Sequence, residues 1–151
     1  MTQGSPPPGR RYGMTIPCDG VPLSEQRDWI VELEDLGYTD VWSSEANGAD
    51  AFTPLALASA WAPSLRLGSA IVPAFTRGPA LLAQSVATLA DAAPGRVAFG
   101  IGTSSNVIVE GWNGIPFDDP YRQVRDMVRF LRAAMAGEKM TGRYGRSDIK
   151  G

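Results

Sequence analysis

The chain has 151 residues, 44% apolar and 20% charged, and a formal net charge of −2. That leaves room for one domain with a real core, and excludes general disorder, a basic nucleic-acid footprint and a cationic membrane surface. Histidine is absent and Cys18 is the only cysteine, which excludes a Ser-His-Asp triad, His-containing metal sites, internal disulfides and thiolate clusters, so no metal is expected and a cytoplasmic, reducing compartment fits.

Residues 1–11 hold three consecutive prolines and lack the apolar run of a signal peptide. They read as a disordered lead-in, and 12–151 as the folded unit. No stretch approaches the ~20 apolar residues that span a bilayer.

From Tyr12 onward a short apolar run, a loop and an amphipathic stretch recur. The runs are YGMTIP (12–17), TDVWSS (39–44), LRLGSAIVP (65–73) and RVAFGIG (96–102). Between the first two, Ser24 is placed to cap a helix that Gly37 ends, with Trp29, Ile30, Leu33 and Leu36 on one face. Thr53-Pro54 opens the second helix. Gly78-Pro79 opens the third, with Leu82, Val86 and Leu89 inward and Pro94-Gly95 closing it. Asp119-Pro120 opens the fourth, whose predicted apolar face is Val124, Val128, Leu131 and Met135, and Gly137 stops it.

Four strands alternating with four helices predict an α/β fold with a parallel sheet. The pattern leaves two arrangements open, a doubly wound sheet and part of a (β/α)8 barrel. In both, ligands lie at the C-terminal ends of the strands. Those ends carry Pro17 with Cys18, Glu45 with Ala46 and Asn47, Ala70 with Ile71, and Thr103, Ser104 and Ser105.

Each has a chemical and a plain reading. GIGTSS is a G-x-G-x-x-S turn: a weak dinucleotide fingerprint, a turn aiming hydroxyls at a ligand, or a simple strand end. Glu45 orients a substrate or acts as a base, or else pairs with an arginine. Arg77 recruits an anion, or caps a helix or pairs with an acid. WNGIPF (112–117) forms an aromatic wall of the pocket, or folds Trp112 and Phe117 under the rim. Cys18 reads as a packed small residue, because no base partner is visible.

Taken in order, LEDLGYTDVWSSE, LRLGSAIVPAFTRGPALLAQSVATLADAAPGRVAFGIGTSS and GWNGIPFDDPYRQVRDMVRFLRAAMAGEKMTG resemble the luciferase-like oxidoreductases, and in detail the class that uses the deazaflavin coenzyme F-420. The resemblance implies the N-terminal half, four βα units, of a (β/α)8 TIM-type barrel. It implies a flavin (FMN) or coenzyme F-420 as cofactor and a small organic substrate. It places the cofactor ring on a strand-three bulge at Ala70 and Ile71, with Ala70-Ile71 a cis peptide or, alternatively, a trans bulge. Thr103, Ser104 and Ser105 match the region touching the cofactor in relatives, and Pro17 and Glu45 fall in the substrate pocket. A histidine that many members carry after strand two is Ala46 here, and a glutamate some carry after strand four is near Ser105, so no catalytic residue is assigned. Ser69 is expected to tolerate alanine.

The resemblance covers about half a family barrel. The expectations that follow are a truncated or split enzyme, with a homo-oligomer or a complementary second half as partner. An inactive half-barrel and a self-contained nucleotide-binding α/β domain are the alternatives. Apolar residues such as Val41, Leu67 and Val97 are expected to line the inner face, half covered.

Overall fold

The computed structural model describes residues 9–150. In chain order the elements are β1 (Gly13–Thr15), α1 (Arg27–Asp35), β2 (Asp40–Ser43), α2 (Phe52–Trp61), β3 (Arg66–Ser69), β4 (Val72–Pro73), α3 (Pro79–Ala92), β5 (Val97–Ala98), β6 (Ile101–Gly102), α4 (Pro120–Met135), β7 (Thr141–Tyr144) and β8 (Ser147–Lys150). A parallel sheet runs β1-β2-β3-β5, with Met14 opposite Val41, Val41 opposite Leu67 and Leu67 opposite Val97. This order follows the chain. It lacks the reversal that gives a doubly wound sheet its switch point, and is the order of successive units in a (β/α)8 barrel.

The third and fourth runs each break once. β3 stops at Ser69 and resumes as β4, while β5 stops at Ala98 and resumes as β6, and β4 pairs with β6 in parallel. Both interruptions fall at one level of the sheet, so the strand ends step away together from the main ladder.

Val41 and Leu67 are fully buried under α1 and α2 with Ile30, Leu33, Leu55 and Ala58, and Val97 packs against this cluster. The expectation that these three line the inner face is therefore corrected. Strand alternation sends their neighbour Trp42 to that other face. A second cluster buries Val72, Leu82, Met127, Phe130 and Leu131 between β4, α3 and α4.

The helix signals hold unevenly. Gly78 caps α3 with Pro79 as its first residue, and Asp119 caps α4 by accepting the Arg122 N–H at 3.2 Å. Ser24 instead lies in a 3-10 turn, Leu23–Glu25, and α1 begins only after Gln26. Gln26 is buried because its amide closes the preceding loop, accepting the Cys18 N–H at 2.7 Å and donating to the Val21 carbonyl at 2.7 Å. Trp29 and Leu36 are exposed, so the buried stripe of α1 is only Ile30 and Leu33. Asp50, rather than Thr53, serves the start of α2, accepting the N–H groups of Phe52 and Thr53 at 2.8 and 3.0 Å. The buried stripe of α4 is Gln123, Met127, Phe130 and Leu131, and Met135 is exposed.

The first eight residues of the expected lead-in lie outside the described residues. Arg11, next to the fold, pairs with both oxygens of buried Asp40, at 3.0 Å from Nε and 2.7 Å from Nη2. Burial pushes the Asp40 carboxyl up, but Arg11, Thr39 and Arg66 outweigh it and hold the group below the usual carboxylate range. The closing segment forms a hairpin, β7 against β8, which the sequence reading did not foresee. Tyr144 packs edge-on against Phe130, with centroids 5.2 Å apart, and Asp126 accepts the Gly145 N–H at 3.1 Å.

Candidate functional site

Where β3 gives way to β4, the Ala70-Ile71 peptide bond is cis. The step is tied on both sides. The Ala70 N–H donates to the Ser43 carbonyl at 2.7 Å, and the Ile71 carbonyl accepts the Glu45 N–H at 3.0 Å. On the other flank, the Ser69 hydroxyl accepts the Gly100 N–H and donates to the Gly100 carbonyl, each at 2.9 Å. A side-chain hydroxyl thus fills the ladder where β5 is interrupted. Gly100 must be glycine, because a Cβ there would lie 2.2 Å from the Ser69 carbonyl oxygen.

Ile71 stands over Gly102, whose missing side chain leaves space that a Cβ would share with Ile71 Cδ1 and Cγ1 at 3.2 Å. Thr103, Ser104 and Ser105 follow directly. The Thr103 hydroxyl donates to the Ser104 carbonyl at 3.2 Å, and Ser105 Oγ accepts the Ile108 N–H at 3.4 Å. Among the described residues, Ser104 Oγ has no hydrogen-bond partner. Ser104 also has φ +63°, a left-handed conformation that costs a non-glycine residue energy and is common at functional positions. The chain then turns through a short π-helix, Val107–Trp112, rather than the helix a dinucleotide fingerprint needs.

Beside this step is a cavity of about 380 Å³ lined by Glu45, Asp50, Thr76, Arg77, Ile108 and Trp112, among others. Of the two readings of Glu45 and Arg77, the paired one holds: Glu45 Oε1 forms an ion pair with Arg77 Nη1 and accepts the Ala51 N–H at 3.2 Å. Arg77 Nη2 lies 3.9 Å from Asp50 Oδ1, and its guanidinium sits 5.0 Å from the centre of the Phe52 ring. Burial raises the Asp50 carboxyl, but hydrogen bonds from Thr53 and Phe52 and the Arg77 charge hold it below its ordinary value. Among the described residues, Thr76 Oγ1 is buried without a hydrogen-bond partner.

The structure therefore joins Glu45 to Ile71 through one hydrogen bond and Ala70 to Ser43 through another, and sets Ile71 against the strand that ends in Thr103, Ser104 and Ser105. Pro17, at the end of β1, does not line the cavity. Phe117 turns away to pack on Phe75 at 5.1 Å between centroids, while Trp112 stays at the cavity mouth, 58% exposed. Cys18 is a half-buried free thiol. Among the described residues no cluster of three or more His, Cys, Asp or Glu could hold a metal, and no helix is long and apolar enough to cross a membrane. The sequence reading missed the Ser69–Gly100 bridge and Thr76. The closely spaced glycines Gly100 and Gly102 in AFGIGTSS were the available signal for the bridge.

A Mycobacterium tuberculosis protein, named provisionally as a coenzyme F-420-dependent oxidoreductase, is 31% identical over 131 residues, covering 86% of this chain and 38% of that protein. The crystal structure of a monooxygenase from Streptomyces bottropensis superposes with a TM-score of 0.78 at 19% identity, over 93% of this chain and 47% of that one. The oxygenating constituent of 3,6-diketocamphane monooxygenase from Pseudomonas putida, solved with FMN, gives 0.76 at 17% identity, over 92% of this chain and 43% of that one. The chain spans less than half the length of each of these proteins. The family model described as luciferase-like monooxygenase matches residues 4–147, and the chain belongs to that family.

Proposed function

We propose that residues 12–151 form one unit that holds the ring of a flavin or of coenzyme F-420 on the step at Ala70 and Ile71, as part of an oxidoreductase acting on a small organic substrate. The observation that carries this is the paired interruption of β3/β4 and β5/β6, which leaves Ile71 standing over Gly102 beside three hydroxyl residues. The names of the relatives support the choice of cofactor class.

The residues present fit such a group. Ala70 is exposed and Ile71 half-buried at the step, an apolar surface suited to one face of a planar ring. Ser104 offers an uncommitted hydroxyl at its edge, and Thr103 and Ser105 retain acceptor capacity. When bound, the cofactor supplies the redox chemistry, hydride transfer for a deazaflavin and also oxygen chemistry for a flavin. The protein's part is to position and to shield. Ile71 excludes water from the ring face it covers, and Glu45, engaged by Arg77, shapes the neighbouring cavity rather than moving a proton.

Titration of the purified chain with FMN and with coenzyme F-420, followed by ring fluorescence, tests this reading. Saturable binding is expected, with a dissociation constant no tighter than about 10 µM, because the step presents no uncommitted cation to a cofactor phosphate. Replacing Ile71 by Ala should weaken it severalfold. No saturable change with either ring would refute the proposal.

A further inference from the structure

We infer that the cavity beside the step takes an uncharged substrate that carries no anionic group, with Trp112 as one wall and the Glu45–Arg77 pair as the element that turns anions away. This deepens the proposal above and rests on it for the identity of the site.

Three observations carry it. First, the cation in the cavity wall, Arg77, is already committed: paired with Glu45, 3.9 Å from Asp50 and stacked on Phe52. The side chains of Glu45 and Arg77 are only 14% and 20% exposed, so water screens them weakly. Two carboxylates against one guanidinium leave this wall with a net negative charge. An incoming phosphate or carboxylate meets repulsion and no uncommitted cation. A bidentate arginine clamp, the usual device for such groups, is absent here because the fork is occupied.

Second, the wall at the π-helical turn is mixed, with the amide of Asn113 beside the apolar Ile108 and Trp112. Ile108 and Trp112 project from the π-helical turn Val107–Trp112, a rare element that concentrates at functional sites. The indole is more than half exposed although it borders a cavity large enough for a small ring compound.

Third, Thr76 contributes one buried hydroxyl oxygen with no hydrogen-bond partner among the described residues. A buried unpaired polar atom is disfavoured, and rotation of the Thr76 side chain toward a substrate carbonyl or hydroxyl would relieve that. The set describes a neutral molecule that has both an apolar face and neutral polar groups.

The test uses two probes of nearly the same shape, benzamide and benzoate. Each is titrated into the ¹⁵N-labelled chain while the indole N–H signal of Trp112, identified by its loss in Trp112→Phe, is followed. Benzamide is expected to shift that signal with a millimolar dissociation constant, and benzoate to bind at least tenfold more weakly. Glu45→Gln keeps an acceptor for the Ala51 N–H but releases Arg77. It is expected to raise benzoate affinity at least tenfold while moving benzamide less than threefold. Asp50→Asn, which retains a capping side chain for α2, serves as a second variant and should shift the ratio the same way by a smaller factor. Equal binding of the two probes to the unaltered chain, no Trp112 response to benzamide, or an unchanged ratio in both variants would overturn the inference. None of these readings involves a flavin, so their failure is separable from failure of the cofactor titration.

Discussion

The indole of Trp42 lies across the backbone of Gly68, its partner on the adjacent strand, so closely that a Cβ on Gly68 would fall 2.2 Å from Cε3. The same ring covers Gly13 on the other side, where a Cβ would meet Nε1 at 2.7 Å. One tryptophan thus occupies the face of β1, β2 and β3 that the helices do not cover, and two glycines make room for it. Gly68→Ala should destabilise the chain by about 1–3 kcal/mol through overpacking. The double variant with Trp42→Leu should recover most of the loss, a coupling readable by urea denaturation. A Gly68→Ala change below 0.5 kcal/mol would mean that the indole moves freely.

Ser69→Ala should cost about 1–3 kcal/mol, contrary to the tolerance that the sequence suggested. The hydroxyl serves both the N–H and the carbonyl of Gly100. The carbonyl keeps a second bond from Val72 N at 3.0 Å, but the N–H would be left without its partner. Thermal unfolding of Ser69→Ala beside Ser85→Ala gives the comparison, since Ser85 only returns a bond to the Leu81 carbonyl of its own helix. Equal effects would show that the bridge contributes nothing.

Acid should unfold this chain through Asp40 and Asp126, with Asp50 at the site adding to the same limb. Burial raises all three carboxyls, but the arginines and hydrogen bonds around them hold all three below the ordinary value of 3.8. A depressed folded-state pKa contributes stability that is fully present above the unfolded value and lost as pH falls through the folded one. Stability should therefore be flat from neutrality to about pH 5 and fall below about pH 4. Asp40→Asn should flatten the acid limb and lower the plateau. An acid limb unchanged in Asp40→Asn would place the titration elsewhere.

Gly145 docks the hairpin on α4. It has φ +58°, and a Cβ would lie 2.2 Å from Gln123 Oε1, the atom that accepts the Arg146 N–H at 3.0 Å. The Gln123 amide also donates to the Ala74 carbonyl at 2.8 Å, linking the hairpin to the end of β4. Gly20, with φ +76° and nothing within 4 Å, is a matched control. Both alanine substitutions should carry the left-handed cost of about 1–2 kcal/mol, and Gly145→Ala an additional loss, with faster amide exchange in β7 and β8. Equal losses would show the hairpin to be undocked.

The elements legible in the sequence were those set by local chemistry. Gly-Pro at the start of α3, Asp-Pro at the start of α4 and the four apolar runs are short-range signals, and they hold. The misassigned faces have tertiary causes. Trp29 satisfies helical spacing but points away from the sheet, and Gln123 and Asp126 are buried because a hairpin lands on them. Val41 and Leu67 could not be assigned to a face from alternation alone, because alternation gives two faces without saying which one the helices cover. At the site, Glu45 and Arg77 stood out by residue type, but their pairing spans 32 positions and emerged only in the fold. Family resemblance supplied the step at Ala70 and Ile71, which composition and periodicity do not show.

The most direct test of the central claim is hydrogen–deuterium exchange of the chain with and without a saturating concentration of FMN or coenzyme F-420. Slowed exchange is expected, confined to the step and the neighbouring strand end, at Ile71, Thr103, Ser104 and Ser105. Protection concentrated elsewhere, for instance between α2 and α3 around Leu81 and Gln84, or no protection at saturation, would contradict it.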